Sequence, residues 1–376
     1  MTLRIAWLAV AAMFFQNGAL FGMWASRIPA VAEAYHLGHA QLGVLLLFLA
    51  GGAVCAFPLA GKAIDRFGAS GTARAIAILY PLSLIILPLS PGFAILAAAL
   101  FLFGAAHGAM DVAMNGWGAE VERRFDRPVM STFHAMWSLG AGLGALSGVL
   151  ATSVAAGIGL HFLLASIAVT VPCLWLGRIS WNSVRAQPNK GAPLFALPTG
   201  LLFFVGVLAF CASLGEGAVA DWSAVYLRDV AAVSESQAAL GYAAFSVAMV
   251  AVRLAGDQII RWLGPVVAAR IGGAFAAVGS LVVVLAPALA TALPGFALMG
   301  IGYAVIMPLA FSRAANDPTI PQGQALASVA TLGYGGLLLG PPAIGAIAGF
   351  VGLQQSFLLL VALSVLIVIL AGSLRR

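Results

Sequence analysis

The chain has 376 residues, of which 62% are hydrophobic and only 8% are charged, and its net charge is +6 at pH 7. Soluble domains carry roughly a quarter of their residues as Asp, Glu, Lys and Arg, so this composition excludes a water-soluble protein and places the chain in a lipid bilayer. The apolar runs are continuous and lack the alternation of barrel strands of about ten residues, which excludes an outer-membrane β-barrel.

Twelve apolar runs follow one another along the chain, each near the roughly 20 residues that a transmembrane helix needs. The predicted spans are 5–26, 38–60, 72–90, 93–118, 130–153, 159–177, 200–225, 236–257, 266–287, 293–312, 325–349 and 351–373. The run that follows Arg4 is longer than the apolar core of a signal peptide, so we expect a retained first helix. The sequence therefore predicts an all-α membrane protein with twelve transmembrane helices.

The basic residues predict the orientation of these helices. Lys and Arg in short loops are retained on the cytoplasmic side during insertion. With both termini inside, all of the 18 Lys and Arg residues except Arg27, Arg228 and Arg253 fall in cytoplasmic loops or tails. We therefore expect a multi-pass protein of the bacterial inner membrane with cytoplasmic termini. The positive charge is explained by topology, so no nucleic-acid partner is predicted.

The longest predicted cytoplasmic connection separates six spans from six. We predict an N-terminal six-helix bundle over 1–177, a linker over 178–198 and a C-terminal six-helix bundle over 199–376. The two halves repeat weakly, because similar glycine-to-arginine patterns follow spans two and eight, and spans five and eleven are both rich in glycine. Such repeats are typical of transporters built from two pseudo-symmetric halves.

These features resemble the major facilitator superfamily. The stretch Gly61 to Gly68 is similar to the signature of that family between its second and third helices, and the six-plus-six plan covers essentially the whole chain. Four further segments are similar to the MosC/YbjJ-like branch, distantly related to fucose-proton symporters: Trp24 to Pro29, Met110 to Asn115, Arg127 to His134 and Glu216 to Trp222. The resemblance implies the major facilitator fold and a monomeric inner-membrane carrier.

The resemblance also implies a gate. In the superfamily, the aspartate that matches Asp65 helps to hold the inner gate shut by interacting with a helix end and with basic partners. The implied gating residues are Gly61, Asp65, Arg66, Gly68 and Arg74. The alternative is that the basic residues here only enforce topology. The second copy of the signature has Ile260 at the place of the aspartate, so we expect the two copies to differ.

Charged side chains inside a membrane cost roughly 2.5 to 3.5 kcal/mol each, so each one is a candidate for function. Glu216 lies near mid-depth in the predicted seventh span, and we predict that it couples transport to protons. The alternative is a permanently paired carboxylate, with Arg228 or a hydroxyl as its partner. Asn17 lies close to mid-depth in the first span, so we predict that Asn17 and Glu216 both contact the substrate.

A second group of polar side chains lies in the fourth span. His107, Asp111 and Asn115 recur at every fourth position, so they share one helical stripe that we expect to face protein. His134 enters the fifth span at a similar depth. Asp111 and His134 are therefore a second candidate site for proton coupling, and the alternative is a structural polar contact between adjacent helices.

The predicted substrate is a small polar organic molecule such as a sugar or a polyol. Its predicted contacts are Asn17, Asn115, Glu216, Trp24, Trp222, Tyr242, Tyr303 and Tyr334. Aromatic rings stack on sugars, but Trp24 and Trp222 also fit anchors at the membrane interface. The run Gly336 to Gly345 resembles a motif of proton-coupled exporters in the wrong span, and we interpret it as helix packing and a hinge.

The predicted function is secondary active transport by alternating access, with protons as the coupling ion. The sequence has no phosphate-binding GxxxxGK[ST] loop, and we predict no cofactor and no metal. The main alternative is a proton-coupled multidrug or metabolite exporter. An intramembrane enzyme built on His107, Asp111 and His134, or a sensor descended from a transporter, are the alternatives from other classes.

Overall fold

The computed structural model describes residues 3–37, 39–185, 198–233, 235–238, 240–286 and 288–375. In these ranges the chain forms helices and turns and no β-strand. The α-helices are α1 (Leu3–Ala34), α2 (His39–Phe67), α3 (Ala69–Ile85), α4 (Phe93–Phe125), α5 (Met130–Ser153), α6 (Ile158–Gly177), α7 (Leu201–Asp229), α8 (Glu235–Ala238), α9 (Leu240–Leu285), α10 (Leu289–Tyr303), α11 (Ile306–Ala315), α12 (Gln322–Val351), α13 (Leu353–Ser356) and α14 (Leu358–Leu370). Two short 3-10 turns, Leu87–Leu89 and Ala371–Leu374, complete the elements. Most of the predicted linker lies outside the described residues.

The described helices supply the twelve predicted membrane crossings. Eleven helical stretches are long and apolar enough to span a bilayer, and one of them is the 46-residue helix α9. Helix α9 has left-handed backbone at Gly264, with φ of 75°, followed by Pro265. Because about 20 residues cross a bilayer, α9 holds the predicted spans eight and nine on either side of this break. The predicted all-α, twelve-span fold is confirmed.

The tenth crossing is interrupted. Helix α10 ends at Tyr303, Ala304 and Val305 form a turn, and α11 begins at Ile306. Pro308 lies in the first turn of α11, where its missing N–H costs little, while its ring prevents the preceding turn from continuing as regular helix. The interruption places the backbone carbonyl of Ala304 at a helix end, where it is available to a side chain.

Two compact units divide the chain. The first comprises Met1–Asp126, Phe133–Ala196 and Pro318–Ala327, and the second comprises Arg127–Thr132, Leu197–Asp317 and Ser328–Arg376. The first residues of α5 therefore belong to the second unit, and the first residues of α12 belong to the first. The bundle boundaries at 177 and 199 stay a prediction.

Glycines bring equivalent helices into close contact inside each unit. In the first unit, a Cβ on Gly140 of α5 would lie 2.2 Å from the carbonyl oxygen of Phe15 in α1. In the second unit, a Cβ on Gly336 of α12 would lie 2.2 Å from the carbonyl oxygen of Phe210 in α7. Only glycine permits such an approach of two backbones. The packing role predicted for the glycines of α12 is confirmed at Gly336.

Candidate functional site

Glu216 lies between two glycines of α7 where neighbouring helices approach closely. A Cβ on Gly215 would lie 2.4 Å from the ring of Tyr303. The Glu216 carboxylate pairs with Arg253 of α9, whose Nη2 lies 3.2 Å from Oε1. The side chain of Glu216 is 24% exposed and that of Arg253 is 6% exposed. The site therefore combines a partly accessible carboxylate with a buried guanidinium.

The ion-pair partner of Glu216 is therefore Arg253. The alternative in which Glu216 pairs with Arg228 is wrong. Arg228 instead pairs with its neighbour Asp229 at 2.6 Å, where both side chains are exposed at the end of α7. The Nε of Arg253 also lies 3.4 Å from the carbonyl oxygen of Ala304, at the interruption of the tenth crossing. Sequence reasoning gave Arg253 no role, although its charge inside a predicted span was the available signal.

Asp111, Asn115 and His134 form a hydrogen-bonded chain between α4 and α5. The Nδ2 of Asn115 donates to Oδ1 of Asp111 at 3.2 Å, and Oδ1 of Asn115 lies 3.1 Å from Nε2 of His134. The exposed fractions of Asp111, Asn115 and His134 are 8%, 0% and 9%. Because His107 is buried as well, the predicted stripe faces protein, as expected. Asp111 and His134, the predicted pair, are therefore joined through the amide of Asn115.

Asn17 is fully buried inside the first unit. Its Nδ2 donates to the carbonyl oxygen of His107 at 3.3 Å, and its Oδ1 accepts from Nε1 of Trp137 at 3.3 Å. The Nδ1 of His107 lies 2.9 Å from the hydroxyl of Tyr80. These contacts tie α1 to α4 and α5. Asn17 and Glu216 belong to different units, and the substrate contact assigned to Asn17 stays a prediction.

Two of the predicted substrate-binding aromatics are core residues. Trp24 is 1% exposed, and its ring lies 6.1 Å from that of Phe103. The interpretation of Trp24 as an interface anchor is therefore wrong, because an anchor must reach the headgroup region. Tyr303 is 0% exposed, and its hydroxyl lies 2.9 Å from Oγ of Ser364. In this structure, neither ring has surface available to a ligand.

The other three aromatics keep accessible surface. Trp222 is half-buried, and a Cβ on Gly345 of α12 would lie 3.1 Å from its ring. Tyr334 is half-buried, whereas Tyr242 is 47% exposed with its ring 6.1 Å from that of Phe245. The predicted ligand contacts of Trp222, Tyr242 and Tyr334 are compatible with this exposure and stay predictions.

The end of α2 meets the start of α12 within the first unit. A Cβ on Gly323 would lie 2.1 Å from the carbonyl oxygen of Gly61, so the two backbones touch at glycines. Oδ1 of Asp65 accepts a hydrogen bond of 3.0 Å from the N–H of Gly323. A helix N-terminus carries partial positive charge and exposed N–H groups, which favour a carboxylate. Asp65 therefore binds a helix end, as the resemblance implied.

Asp257 makes the corresponding contact in the second unit. Its carboxylate accepts from the N–H groups of Ser131 at 2.9 Å and of Thr132 at 3.1 Å, at the start of α5, and from the hydroxyl of Thr132. The adjacent Gly256 has no room for a side chain, because a Cβ there would lie 2.0 Å from Oγ of Ser131. Because Ile260 occupies the place of the aspartate in the second copy of the signature, the sequence predicts that the two copies differ. That prediction is wrong for the carboxylate contact, since Asp257, about one helical turn before Ile260, makes it.

Gly68 and Arg74 hold the segment that follows α6. Gly68 has φ of 85°, and a Cβ there would lie 2.5 Å from Cβ of Ser183. The Nη1 of Arg74 donates to the carbonyl oxygen of Ile179 at 2.9 Å. These contacts give both residues a structural role that sequence reasoning missed. Arg66 is exposed, with its guanidinium 5.2 Å from the ring centre of Phe67.

Glu120 is a further buried acid that the sequence did not single out. It is 3% exposed and accepts hydrogen bonds from Nε1 of Trp181 at 2.7 Å and from the N–H of Val184 at 3.0 Å. The guanidinium of Arg124 lies 4.0 Å from the ring centre of Trp181. Glu120 lies near the end of α4, because this helix continues to Phe125, past residue 118 where the predicted fourth span ends. Glu120 therefore fixes the segment after α6 to the first unit.

Within the described residues, no group of three or more His, Cys, Asp and Glu side chains is placed to hold a metal ion. The polar residues at the two candidate sites are instead paired with other side chains or with backbone groups.

Comparison with known proteins identifies the relatives of the chain. The sequence profile of the Major Facilitator Superfamily matches residues 6–319. The uncharacterized transporter y4wD of Sinorhizobium fredii is 46% identical over 98% of both chains. Membrane protein MosC of Rhizobium meliloti is 35% identical over 96% of this chain and 88% of its own length. These relatives confirm the resemblance to the MosC-like branch.

Solved structures share the fold. The human organic anion transporter MFSD10 has a TM-score of 0.80 at 16% identity and covers 100% of both chains. FucP, a transporter of this superfamily in the outward conformation, has a TM-score of 0.80 at 15% identity and covers 98% of both chains. At these identities the likeness concerns the fold alone.

Proposed function

Because the chain belongs to the major facilitator superfamily and is a multi-pass membrane transporter rather than an enzyme, we propose that it carries a small polar organic solute, with protons as the coupling ion, by alternating access. The proposed location is the bacterial inner membrane, with both termini in the cytoplasm, and the proposed working form is a monomer. Import and export are both compatible with this mechanism.

The observation that carries the proposal is the ion pair of Glu216 and Arg253. The Glu216 side chain keeps 24% of its surface exposed, and the proposal assigns this surface to water and solute, while Arg253 is 6% exposed and has the carboxylate at 3.2 Å. A proton on Glu216 removes the charge that Arg253 neutralises. Such a change alters the relative free energies of two conformations, which is what coupling requires. Acidic groups within membrane spans commonly serve as proton carriers.

The proposed second proton site is the chain of Asp111, Asn115 and His134. The carboxylate of Asp111 and the imidazole of His134 can each bind a proton, and the Asn115 amide between them makes the hydrogen bonding of one depend on the protonation state of the other. The two hydrogen bonds, 3.2 Å from Asn115 to Asp111 and 3.1 Å from Asn115 to His134, support this role. A purely structural contact between α4 and α5 is the competing explanation.

The proposed gate is the pair of carboxylate contacts with helix starts. Asp65 binds the N–H of Gly323, and Asp257 binds the N–H groups of Ser131 and Thr132. In alternating access these contacts break when the cytoplasmic side opens. Each contact joins residues far apart in the sequence, which supports a role in a change of conformation. Gly61 serves the same gate by allowing close approach.

The polar solute is proposed from the side chains of the second unit that keep accessible surface. Glu216 supplies a hydrogen-bonding group, and Trp222, Tyr242 and Tyr334 are accessible aromatic residues for stacking on a sugar or polyol. Asn115 is fully buried and hydrogen-bonded at both ends of its amide, so it has no surface for a solute in this structure. A thermal-shift screen of the purified protein with sugars, polyols, inositol-like amines and organic acids at two pH values identifies the ligand class. Stabilisation by large apolar compounds alone would favour the multidrug exporter.

Proton coupling is tested in proteoliposomes with a solute from that screen. We expect an imposed pH gradient to drive accumulation of the solute by the wild type. Glu216→Gln should abolish this accumulation and should still exchange solute across the membrane when no pH gradient is imposed. The matched control is Asp229→Asn, which removes an exposed acid of the same helix. Full gradient-driven accumulation by Glu216→Gln would contradict the proposed coupling role.

A further inference from the structure

We propose that one helical turn of α9, from Arg253 to Asp257, links the ionic state of Glu216 to the contact at the start of α5. This inference rests on the proposed function, because it assigns the step that follows protonation of Glu216. It makes Ser131 and Thr132 functional residues of the transporter, in addition to the acids and aromatics considered above.

The linking turn makes contacts at both of its ends. At one end, the guanidinium of Arg253 lies 3.2 Å from Glu216, and the carbonyl oxygen of Arg253 accepts the hydroxyl of Ser131 at 2.9 Å. At the other end, the carboxylate of Asp257 accepts the N–H groups of Ser131 and Thr132. Residues four apart lie on the same side of a helix. The same face of α9 therefore binds both Glu216 and the first turn of α5.

The turn is in direct contact with the start of α5. A Cβ on Gly256, inside the turn, would lie 2.0 Å from Oγ of Ser131, so the Ser131 side chain packs against the backbone of α9. When Glu216 loses its charge, the buried guanidinium of Arg253 loses the compensation that this carboxylate supplied, which is unfavourable for a buried charge. Movement of Arg253 toward other acceptors displaces its turn. Packed elements respond to such displacements by changing contacts rather than by deforming.

The first unit contains a matched contact without this arrangement. Asp65 also accepts an N–H at a helix start, that of Gly323. The residue one turn before Asp65 is Gly61, which has no side chain to form an ion pair. The link is therefore specific to the contact of Asp257. Opening of the whole gate raises hydrogen exchange at both contacts, whereas the link adds a rise at Ser131 and Thr132 alone, so the contact of Asp65 measures the general opening within the same molecule.

Hydrogen exchange of the full chain in lipid nanodiscs tests the link directly, because the affected hydrogen bonds involve backbone N–H groups. We expect Glu216→Gln to raise the exchange rates of the Ser131 and Thr132 amides at least threefold. The rate of the Gly323 amide should rise less than half as much. Glu216→Asp keeps the charge but shortens the side chain by one methylene, and it should give a rise of intermediate size.

Ser131→Ala provides the second variant, because it removes the hydroxyl that binds the Arg253 carbonyl and keeps the amide that binds Asp257. We expect it to reduce the effect of Glu216→Gln on the Thr132 amide by at least half. Unchanged exchange at Ser131 and Thr132 in Glu216→Gln and Glu216→Asp, or equal rises at Thr132 and Gly323, would overturn the link.

The two proposals fail separately. Loss of proton-driven transport in Glu216→Gln without altered exchange at Ser131 and Thr132 refutes the link and leaves the proposed function. Altered exchange with fully retained proton-driven transport refutes the coupling role of Glu216 and supports a structural link through the turn.

Discussion

The guanidinium of Arg253 lies 3.2 Å from the carboxylate of Glu216 and is almost completely buried, while Glu216 remains partly accessible. In the proposed mechanism this asymmetry separates two tasks: the accessible acid exchanges a proton, and the buried cation responds to the resulting change of charge. An exposed pair such as Arg228 and Asp229 lacks this property, because water compensates for the loss of either charge.

Glu216→Gln is expected to destabilise the protein more than the double replacement Glu216→Gln with Arg253→Met. The single replacement leaves the buried guanidinium without the charge of Glu216, at a cost of roughly 3 kcal/mol or more, whereas the double replacement leaves a neutral pair of side chains. The melting temperatures of the purified variants measure the difference. A double variant less stable than Glu216→Gln would contradict the importance of this pair.

His134→Gln is expected to shift the pH dependence of transport. Glutamine can still hydrogen-bond to Asn115, but it cannot bind a proton near neutral pH. The control is His161→Gln, which alters a buried histidine of α6 that contacts Ser147. Initial rates of solute uptake between pH 5 and 8 provide the measurement. A pH profile identical to that of the wild type would show that the hydrogen bonds joining Asp111, Asn115 and His134 have a structural role only.

Gly323→Ala is expected to weaken the contact between the end of α2 and the start of α12. A methyl group there would lie 2.1 Å from the carbonyl oxygen of Gly61, so the two backbones must separate and the hydrogen bond to Asp65 lengthens. We expect faster hydrogen exchange around residue 323 and a lower transport rate. The control is Gly51→Ala in α2, where nothing lies within 4 Å of the added methyl group. Equal effects of both replacements would rule out a specific steric cause.

Glu120→Gln is expected to release the segment after α6. The neutral amide has one acceptor oxygen for the two donors, Nε1 of Trp181 and the N–H of Val184. Leaving one buried donor unsatisfied costs about 1 to 3 kcal/mol. Thermal unfolding and limited proteolysis measure the loss, and Glu33→Gln, at an exposed position, is the control. Unchanged melting and cleavage would show that other contacts suffice to hold the segment.

The sequence was sufficient for the fold, because lipid imposes helices of a known length on any spanning chain. It also located the individual side chains of the candidate sites, such as Glu216 and Asp111, since charges are rare in apolar runs. It was less reliable for the environment of a side chain. Trp24 followed the pattern of an interface residue and proved to be a core residue, because helical position does not reveal which neighbours cover a ring.

Pairings between distant helices were decided by tertiary structure. The linear repeat aligned Ile260 with Asp65, but the contact of Asp257 with the first residues of α5 makes Asp257 the equivalent acid. Arg253 and Glu216 are 37 residues apart, and their contact depends on the packing of α7 and α9. Sequence therefore determined that this chain crosses the membrane twelve times and which polar groups enter it. Only the packed helices decided which groups meet, because each hydrogen bond or ion pair depends on distances of a few ångströms that no linear pattern specifies.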